Sequence, residues 1–175
     1  AMPHHRRVFA GFLVYSFVLA GMYTRMAEIQ SALGVGKAAL GLGLLGAPFG
    51  TQLALILGGG WVERLGHRNT VLAAIPALAL CEIAAVLAPT LGLFMLALFV
   101  AGVAIGLLEI VLNLEADRAE HALGRRIMSR AHAFWSFGVF AAGMVGALAA
   151  QFHVPPLLHL LVADAAAVAL LWPLC

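Results

Sequence analysis

Six long runs of apolar residues, separated by shorter polar segments, organise this chain. The runs cover residues 8–24, 38–62, 70–88, 91–114, 131–150 and 156–174. The runs are 17 to 25 residues long, which is the range of about 17–25 residues in which α-helices cross a hydrocarbon core of ~30 Å, some with tilt. The pattern therefore predicts an all-α, multi-pass membrane protein with six transmembrane helices in a bundle over residues 8–174.

The second run carries a stripe of small residues interrupted by a proline. Gly43, Ala47, Gly50 and Ala54 recur at helical spacing, and Pro48 lies among them. Small side chains let a neighbouring helix approach closely, and proline disturbs helical hydrogen bonding. We expect close packing along this stripe and a kink near Pro48.

Composition supports the membrane class and argues against others. Hydrophobic residues make up 63% of the chain, charged residues 10%, and the mean hydropathy is +1.02, so one soluble core could not bury the apolar residues. The formal charge of +2 is small and spread over loops, which argues against a nucleic-acid partner. Cys81 and Cys175 have no metal-site or disulfide spacing. Without a hydrolase or zinc motif, we expect no enzyme activity, no metal and no cofactor.

Loop charge predicts the orientation. The arginines expected on one side of the membrane are Arg6, Arg7, Arg64, Arg68, Arg118, Arg125, Arg126 and Arg130. Only Arg25 and Lys37 are expected on the other side. By the positive-inside rule, both termini are cytoplasmic, as are residues 1–7 and the loops 63–69 and 115–130. Runs one to three and four to six also form two similar triplets, an arrangement that transporters use.

The fourth run carries an acid on a stripe of small and polar residues. Gly102, Gly106, Glu109 and Asn113 are spaced to share one helix face. A carboxyl group at the bilayer centre costs roughly 3 kcal/mol or more, so it persists where it faces a partner, a cavity or a proton path. Glu109 is either a proton carrier facing a cavity or a structural acid bonded to a neighbouring helix. Asn113 either contacts a solute or satisfies a neighbouring backbone.

Three further residues are candidate substrate-binding residues. His132 and Trp135, one turn apart on the fifth run, could form one wall of a polar ligand site, or an interfacial pair near the cytoplasmic surface. Arg25 either attracts anions at the external mouth or extends its side chain to the membrane surface.

The turn after the second run carries a family resemblance. Residues 59–68, Gly-Gly-Trp-Val-Glu-Arg-Leu-Gly-His-Arg, resemble the signature that joins the second and third helices of major facilitator superfamily transporters. Glu63 stands where that family usually has aspartate, and His67 where it usually has arginine. The resemblance implies a conformational latch that holds one face of the transporter shut, formed by Gly59, Glu63, Arg64, Gly66 and Arg68.

Other segments resemble one branch of that superfamily. Residues 109–113 are similar to the fourth helix of fucose-permease-like members, whose matching glutamate is tied to proton coupling, and residues 131–138 resemble their fifth helix. Residues 123–129, with 24–26, look most like the bacterial YbjJ-like branch. The resemblance implies a symporter of the bacterial inner membrane with Glu109 in proton coupling. It also implies that the acids Glu82 and Asp164, in the third and sixth runs, have packing roles.

The resemblance covers almost the whole chain, but only the amino-terminal half of a twelve-helix transporter. It implies half of a proton-coupled secondary transporter that moves a small-molecule solute with protons across the lipid bilayer by alternating access. The missing half would be a second six-helix polypeptide or a second copy in a homodimer. The alternative is a non-transporting membrane partner or a truncated fragment of such a transporter.

Overall fold

The computed structural model describes residues 3–171, and within them the chain forms nine α-helices and one 3-10 turn. In chain order they are α1 (His4–Gly21), the 3-10 turn (Met22–Arg25), α2 (Met26–Leu33), α3 (Lys37–Leu44), α4 (Gly46–Leu57), α5 (Gly59–Leu65), α6 (His67–Val86), α7 (Leu91–Leu123), α8 (Met128–Gln151) and α9 (Pro156–Ala169).

Within residues 3–171, five helical segments are long and apolar enough to cross a membrane. They are His4–Leu33, Lys37–Leu57, His67–Val86, Leu91–Leu123 and Met128–Gln151. The all-α, multi-pass membrane class is therefore confirmed. The sixth predicted run is represented by α9, which has 14 residues and a length of about 21 Å, shorter than a hydrocarbon core. The last three residues of that run, 172–174, lie outside the described residues.

The kink expected near Pro48 is confirmed. Helix α3 ends at Leu44, Leu45 is a turn residue, and α4 begins at Gly46. Proline has no N–H to donate, and its ring clashes with the carbonyl group four residues earlier in a regular helix, which here belongs to Leu44. The second apolar run is therefore interrupted just before the proline, and its last residues, 59–62, belong to α5.

Two segments predicted as loops are largely helical. In the predicted loop 63–69, only Gly66 separates α5 from α6, and in the predicted loop 115–130, α7 continues to Leu123. Glutamate, alanine, arginine and leucine dominate residues 115–123, and all of them favour helix in water or in lipid. The charges in this segment indicate polar surroundings, but they do not end the helix. The helix ends at Gly124, whose φ is +59°.

The small residues of α4 and α7 bring these two helices into backbone contact. A Cβ at Gly102 would lie 2.1 Å from the Ala47 carbonyl oxygen, and one at Gly106 would lie 2.7 Å from the Thr51 carbonyl oxygen. The Thr51 hydroxyl also donates a hydrogen bond of 3.0 Å to the Gly102 carbonyl. The close approach expected along both stripes is confirmed.

Helix α1 lies at the centre of the bundle and positions the candidate site. It packs most extensively on α8 and also contacts α6, α7 and α9, while α7 packs on α4 and α6. Phe12 and Tyr15 of α1 belong to the same buried cluster as Leu78 of α6 and Leu108 of α7. Because α1 lies between α7 and α8, its side chains reach polar groups on both helices.

Candidate functional site

Glu109 is half-buried on α7, and both of its carboxylate oxygens accept hydrogen bonds. The Tyr15 hydroxyl, from α1, donates to Oε1 over 2.8 Å. The Asn113 side-chain amide donates to Oε2 over 3.1 Å and to the Glu109 carbonyl oxygen over 2.8 Å. One donor therefore comes from a different helix and the other from the next turn of α7.

The Glu109 side chain borders an open depression rather than dry packing. The depression has a volume of about 770 Å³ and lies against α4, α7 and the start of α8. Its lining residues are Thr51, Leu55, Ile105, Glu109, Ile110, Asn113, Leu114, Asp117 and Met128. Glu109 and Asn113, predicted from the stripe on α7, therefore share one accessible surface.

Helix α8 brings Trp135 to the Tyr15–Glu109 pair. The half-buried indole adjoins the Tyr15 hydroxyl, but the geometry falls short of a hydrogen bond, and Nε1 has no hydrogen-bond partner among residues 3–171. The exposed His132 lies one turn earlier, with its ring centroid 5.3 Å from that of Phe12. The two residues predicted as one wall of a site therefore both border α1, with Trp135 nearer to Glu109.

Arg25 lies away from this site, in the 3-10 turn that follows α1. It is only 1% exposed, so it does not extend to the membrane surface. Its Nε donates to Glu28 over 2.8 Å, and its Nη2 donates to the same carboxylate and to the Val154 carbonyl oxygen. Arg25 therefore ties the end of α1 to the connection between α8 and α9, and the structure does not bring it to Glu109.

The predicted latch segment turns sharply at Gly66. With φ of 79° and ψ of 153°, Gly66 ends α5 and precedes α6 in a backbone region that is essentially restricted to glycine. Glu63, Arg64 and Arg68 are exposed, as is Gly59. The segment therefore presents its charges on a rigid turn between two helices.

The ion pairs of this region centre on Glu115 of α7. His67 contacts its carboxylate, His4 Nε2 lies 3.0 Å from Oε2, and Arg118 donates to Oε1 over 2.9 Å. In the part of the chain that the structure describes, His67 rather than Arg64 or Arg68 is the basic residue of this segment that contacts an acid. His67, one of the two residues at which this segment differs from the major facilitator signature, thus joins α6 to α7.

Sequence reasoning missed Tyr15 and Glu115. Tyr15 has a signal, since it is a polar hydroxyl within the first apolar run, but nothing local relates it to an acid 94 residues away. Glu115 lies in a segment with several charges, and its sequence neighbours do not distinguish it from Asp117 or Glu120. Both roles depend on which helices pack together.

Comparisons with known proteins point to a transporter. The chain is 35% identical over 159 residues to "Uncharacterized transporter y4wD" of Sinorhizobium fredii, covering 90% of this chain and 42% of that protein. It is 36% identical over 120 residues to "Uncharacterized MFS-type transporter YPO1221/y2967/" of Yersinia pestis, covering 68% of this chain and 31% of that protein. These similarities support membership of the major facilitator superfamily.

The comparisons also limit what is carried over to this chain. The chain spans less than half the length of either relative. No protein-family model matches the chain, and no solved structure matches it. Both relatives are named as transporters, which agrees with the prediction that the chain is not an enzyme and supports a transporter function.

Proposed function

We propose that this chain is one six-helix half of a proton-coupled secondary transporter that moves a small solute by alternating access. The observation that carries the proposal is the Glu109 carboxylate, held by Tyr15 and Asn113 beside an open depression. The same proposal includes membership of the fucose-permease-like and YbjJ-like branch of the superfamily. It also includes symport across a bacterial inner membrane.

Glu109 is suited to bind and release a proton. Two donors hold its carboxyl group, and the depression beside it gives water access to that group. One of these donors, Tyr15, comes from a different helix. Movement of α1 relative to α7 would make and break that contact, which couples protonation to conformation.

The solute would bind between the Glu109 depression and α8. Asn113 offers its side-chain carbonyl oxygen as an acceptor, since its amide already donates twice to Glu109. Trp135 offers a flat indole, and His132 offers a ring nitrogen one turn away. These groups fit an uncharged or weakly charged polar solute. Arg25 is already paired with Glu28, so we assign it a structural role instead.

A second bundle would close the site. The depression is open at the surface of the described helices, so a solute bound there needs a further wall. The two most extensive helix contacts are those of α1 with α8 and of α4 with α7. If the triplet that begins with α1 is superposed on the triplet that begins with α7, each of these contacts falls on the other. This symmetry is expected for a six-helix repeat arrangement. The partner is a second six-helix half or a second copy of this chain.

The turn at Gly66 would latch this half to its partner. Glu63, Arg64 and Arg68 are exposed, and in this arrangement they would meet a helix of the opposing bundle. The excess of arginine in the loops supports a cytoplasmic position for this turn and for both termini. Breaking the contact would let the two halves rock.

Transport in proteoliposomes tests the proposal. The chain is reconstituted alone and together with the remaining part of the Sinorhizobium relative, and a panel of neutral monosaccharides, carboxylic acids and cationic aromatics is screened for thermal stabilisation. A stabilising solute should then cause proton entry, recorded by an internal pH-sensitive dye. Glu109→Gln should abolish this signal, while Glu28→Gln, away from the site, should retain it.

The outcomes separate the proposal from its alternative. Proton-linked uptake that survives in Glu109→Gln would remove this residue from the mechanism. Absence of stabilisation by any solute, together with specific recovery of another membrane protein in pull-downs, would support a non-transporting partner or fragment. Solute stabilisation that is lost in Trp135→Ala but not in Phe140→Ala would support the binding surface on α8.

A further inference from the structure

Two acids outside the Glu109 site meet where α1 changes into the 3-10 turn. Glu82 of α6 is 1% exposed and Asp164 of α9 is 2% exposed. The Glu82 carboxyl contacts the backbone amide of Met22, and Asp164 Oδ1 lies 3.8 Å from the position that a Cβ on Gly21 would occupy. Acids from α6 and α9 thus lie beside consecutive residues, the last of α1 and the first of the 3-10 turn.

These carboxyl groups lack the partners that buried carboxylates require. Oε2 of Glu82 and both side-chain oxygens of Asp164 are buried without a hydrogen-bond partner in residues 3–171. Both groups adjoin the same junction, Asp164 at Gly21 and Glu82 at Met22. Two ionised carboxylates in this position would repel each other, with the Met22 amide as a donor to Glu82 and no donor to Asp164 among the described residues.

The neighbouring charged groups do not neutralise the pair. Arg25, the nearby cation, is bonded through Nε and Nη2 to Glu28 and the Val154 carbonyl oxygen. Its Nη1 is buried without a hydrogen-bond partner, and within residues 3–171 Arg25 makes an ion pair with Glu28 and with neither Glu82 nor Asp164. His159, also buried on α9, interacts with Arg25 and Glu28, and its Nδ1 has no hydrogen-bond partner in the described part of the chain. Three more groups face Glu82 or adjoin it in sequence, namely Tyr23, Cys81 and the amide of Met22. None of these three brings a positive side chain.

We propose that Glu82 and Asp164 form a second proton-binding site that holds one shared proton at the junction of α1 and the 3-10 turn. This site is separate from Glu109, because Tyr15, which bonds Glu109, precedes Met22 by seven residues, or about 10 Å along a helix. With the proton bound, one acid is neutral and the pair carries a single charge. Loss of that proton creates repulsion between α6 and α9, on either side of an interrupted helix, and loosens their packing on α1.

Infrared spectroscopy of the full chain in a detergent without carbonyl groups, such as dodecyl maltoside, tests this proposal. Neutral carboxyl groups have a carbonyl stretch that carboxylates lack. At neutral pH, protein with Glu109→Gln should keep this band, and adding Glu82→Gln with Asp164→Asn should abolish it. Adding Asp117→Asn instead, an exposed acid on α7, should leave the band unchanged.

A thermal melt over a pH series provides a second readout. The protonated pair stabilises the folded bundle, so the wild-type melting temperature should fall as pH rises through the titration of the pair. The fall should be smaller in Glu82→Gln and in Asp164→Asn, and unchanged in Asp117→Asn.

Several results would overturn the proposal. Absence of a neutral-carboxyl band from the Glu109→Gln protein at neutral pH would do so without relying on the less stable variants. Persistence of the band in the triple variant would assign the proton elsewhere. A band that disappears when sodium replaces potassium would identify a cation site instead. Failure of transport through Glu109 leaves these results unaffected, because none of them measures transport.

Discussion

The Tyr15 hydroxyl donates a 2.8 Å hydrogen bond to Glu109 and thereby joins α1 to α7 beside the depression. Tyr15→Phe removes this donor and keeps the ring. We expect a loss of about 1–2 kcal/mol in the free energy of unfolding, since one carboxylate oxygen loses its partner. Denaturant titration in mixed micelles measures the change. Tyr23→Phe, at an exposed position after α1, is the control, and an equal loss there would contradict the assignment.

Backbone contact between α4 and α7 requires glycine at position 102. Gly102→Ala would place a methyl group 2.1 Å from the Ala47 carbonyl oxygen, so one helix must move. We expect destabilisation of about 1–3 kcal/mol or more. Gly143→Ala, in α8 with nothing within 4 Å of its added methyl group, should instead stabilise by up to about 1 kcal/mol. Similar effects of the two substitutions on the melting temperature would refute the contact.

The turn between α5 and α6 requires glycine for a different reason, namely backbone conformation. At Gly66, φ is 79° and an added methyl group would meet nothing within 4 Å, so conformational strain rather than crowding opposes substitution. Gly66→Ala should destabilise by about 1–3 kcal/mol. Gly60→Ala, in the preceding helix and also in open space, should not destabilise. If Gly66→Ala behaves like Gly60→Ala in thermal unfolding, the turn differs from the one described.

Glu120 connects the end of α7 to the start of α8. Its Oε2 accepts hydrogen bonds from the Ile127 and Met128 amides over 2.7 and 3.0 Å. Glu120→Ala leaves these amides without that acceptor, so we expect a loss of about 0.5–2 kcal/mol in unfolding free energy. Faster hydrogen exchange at residues 127–131 should accompany the loss. Asp117→Ala, an exposed position on the same helix, should change exchange there little, and equal effects would argue against capping.

Several features of the fold could be predicted because their causes are local. Apolar runs predict membrane-spanning helices, since burial in lipid depends on the composition of each segment. Pro48 predicts a break because proline lacks an N–H wherever it occurs, and the glycines of α7 predict close packing. The ends of α5 and α7 were harder to predict from the sequence. Charge indicates exposure to water, whereas helix termination depends on residues such as Gly66 and Gly124.

Residue patterns along the chain were enough to predict the membrane class, most spans and an acid on a small-residue stripe. Helix packing was needed to show that Tyr15 reaches Glu109, that Arg25 pairs with Glu28, and that Glu82 and Asp164 lie beside the end of α1. Hydropathy and backbone preference act within one segment. By contrast, a hydrogen bond between residues 94 positions apart forms only once packing has chosen which helix faces adjoin.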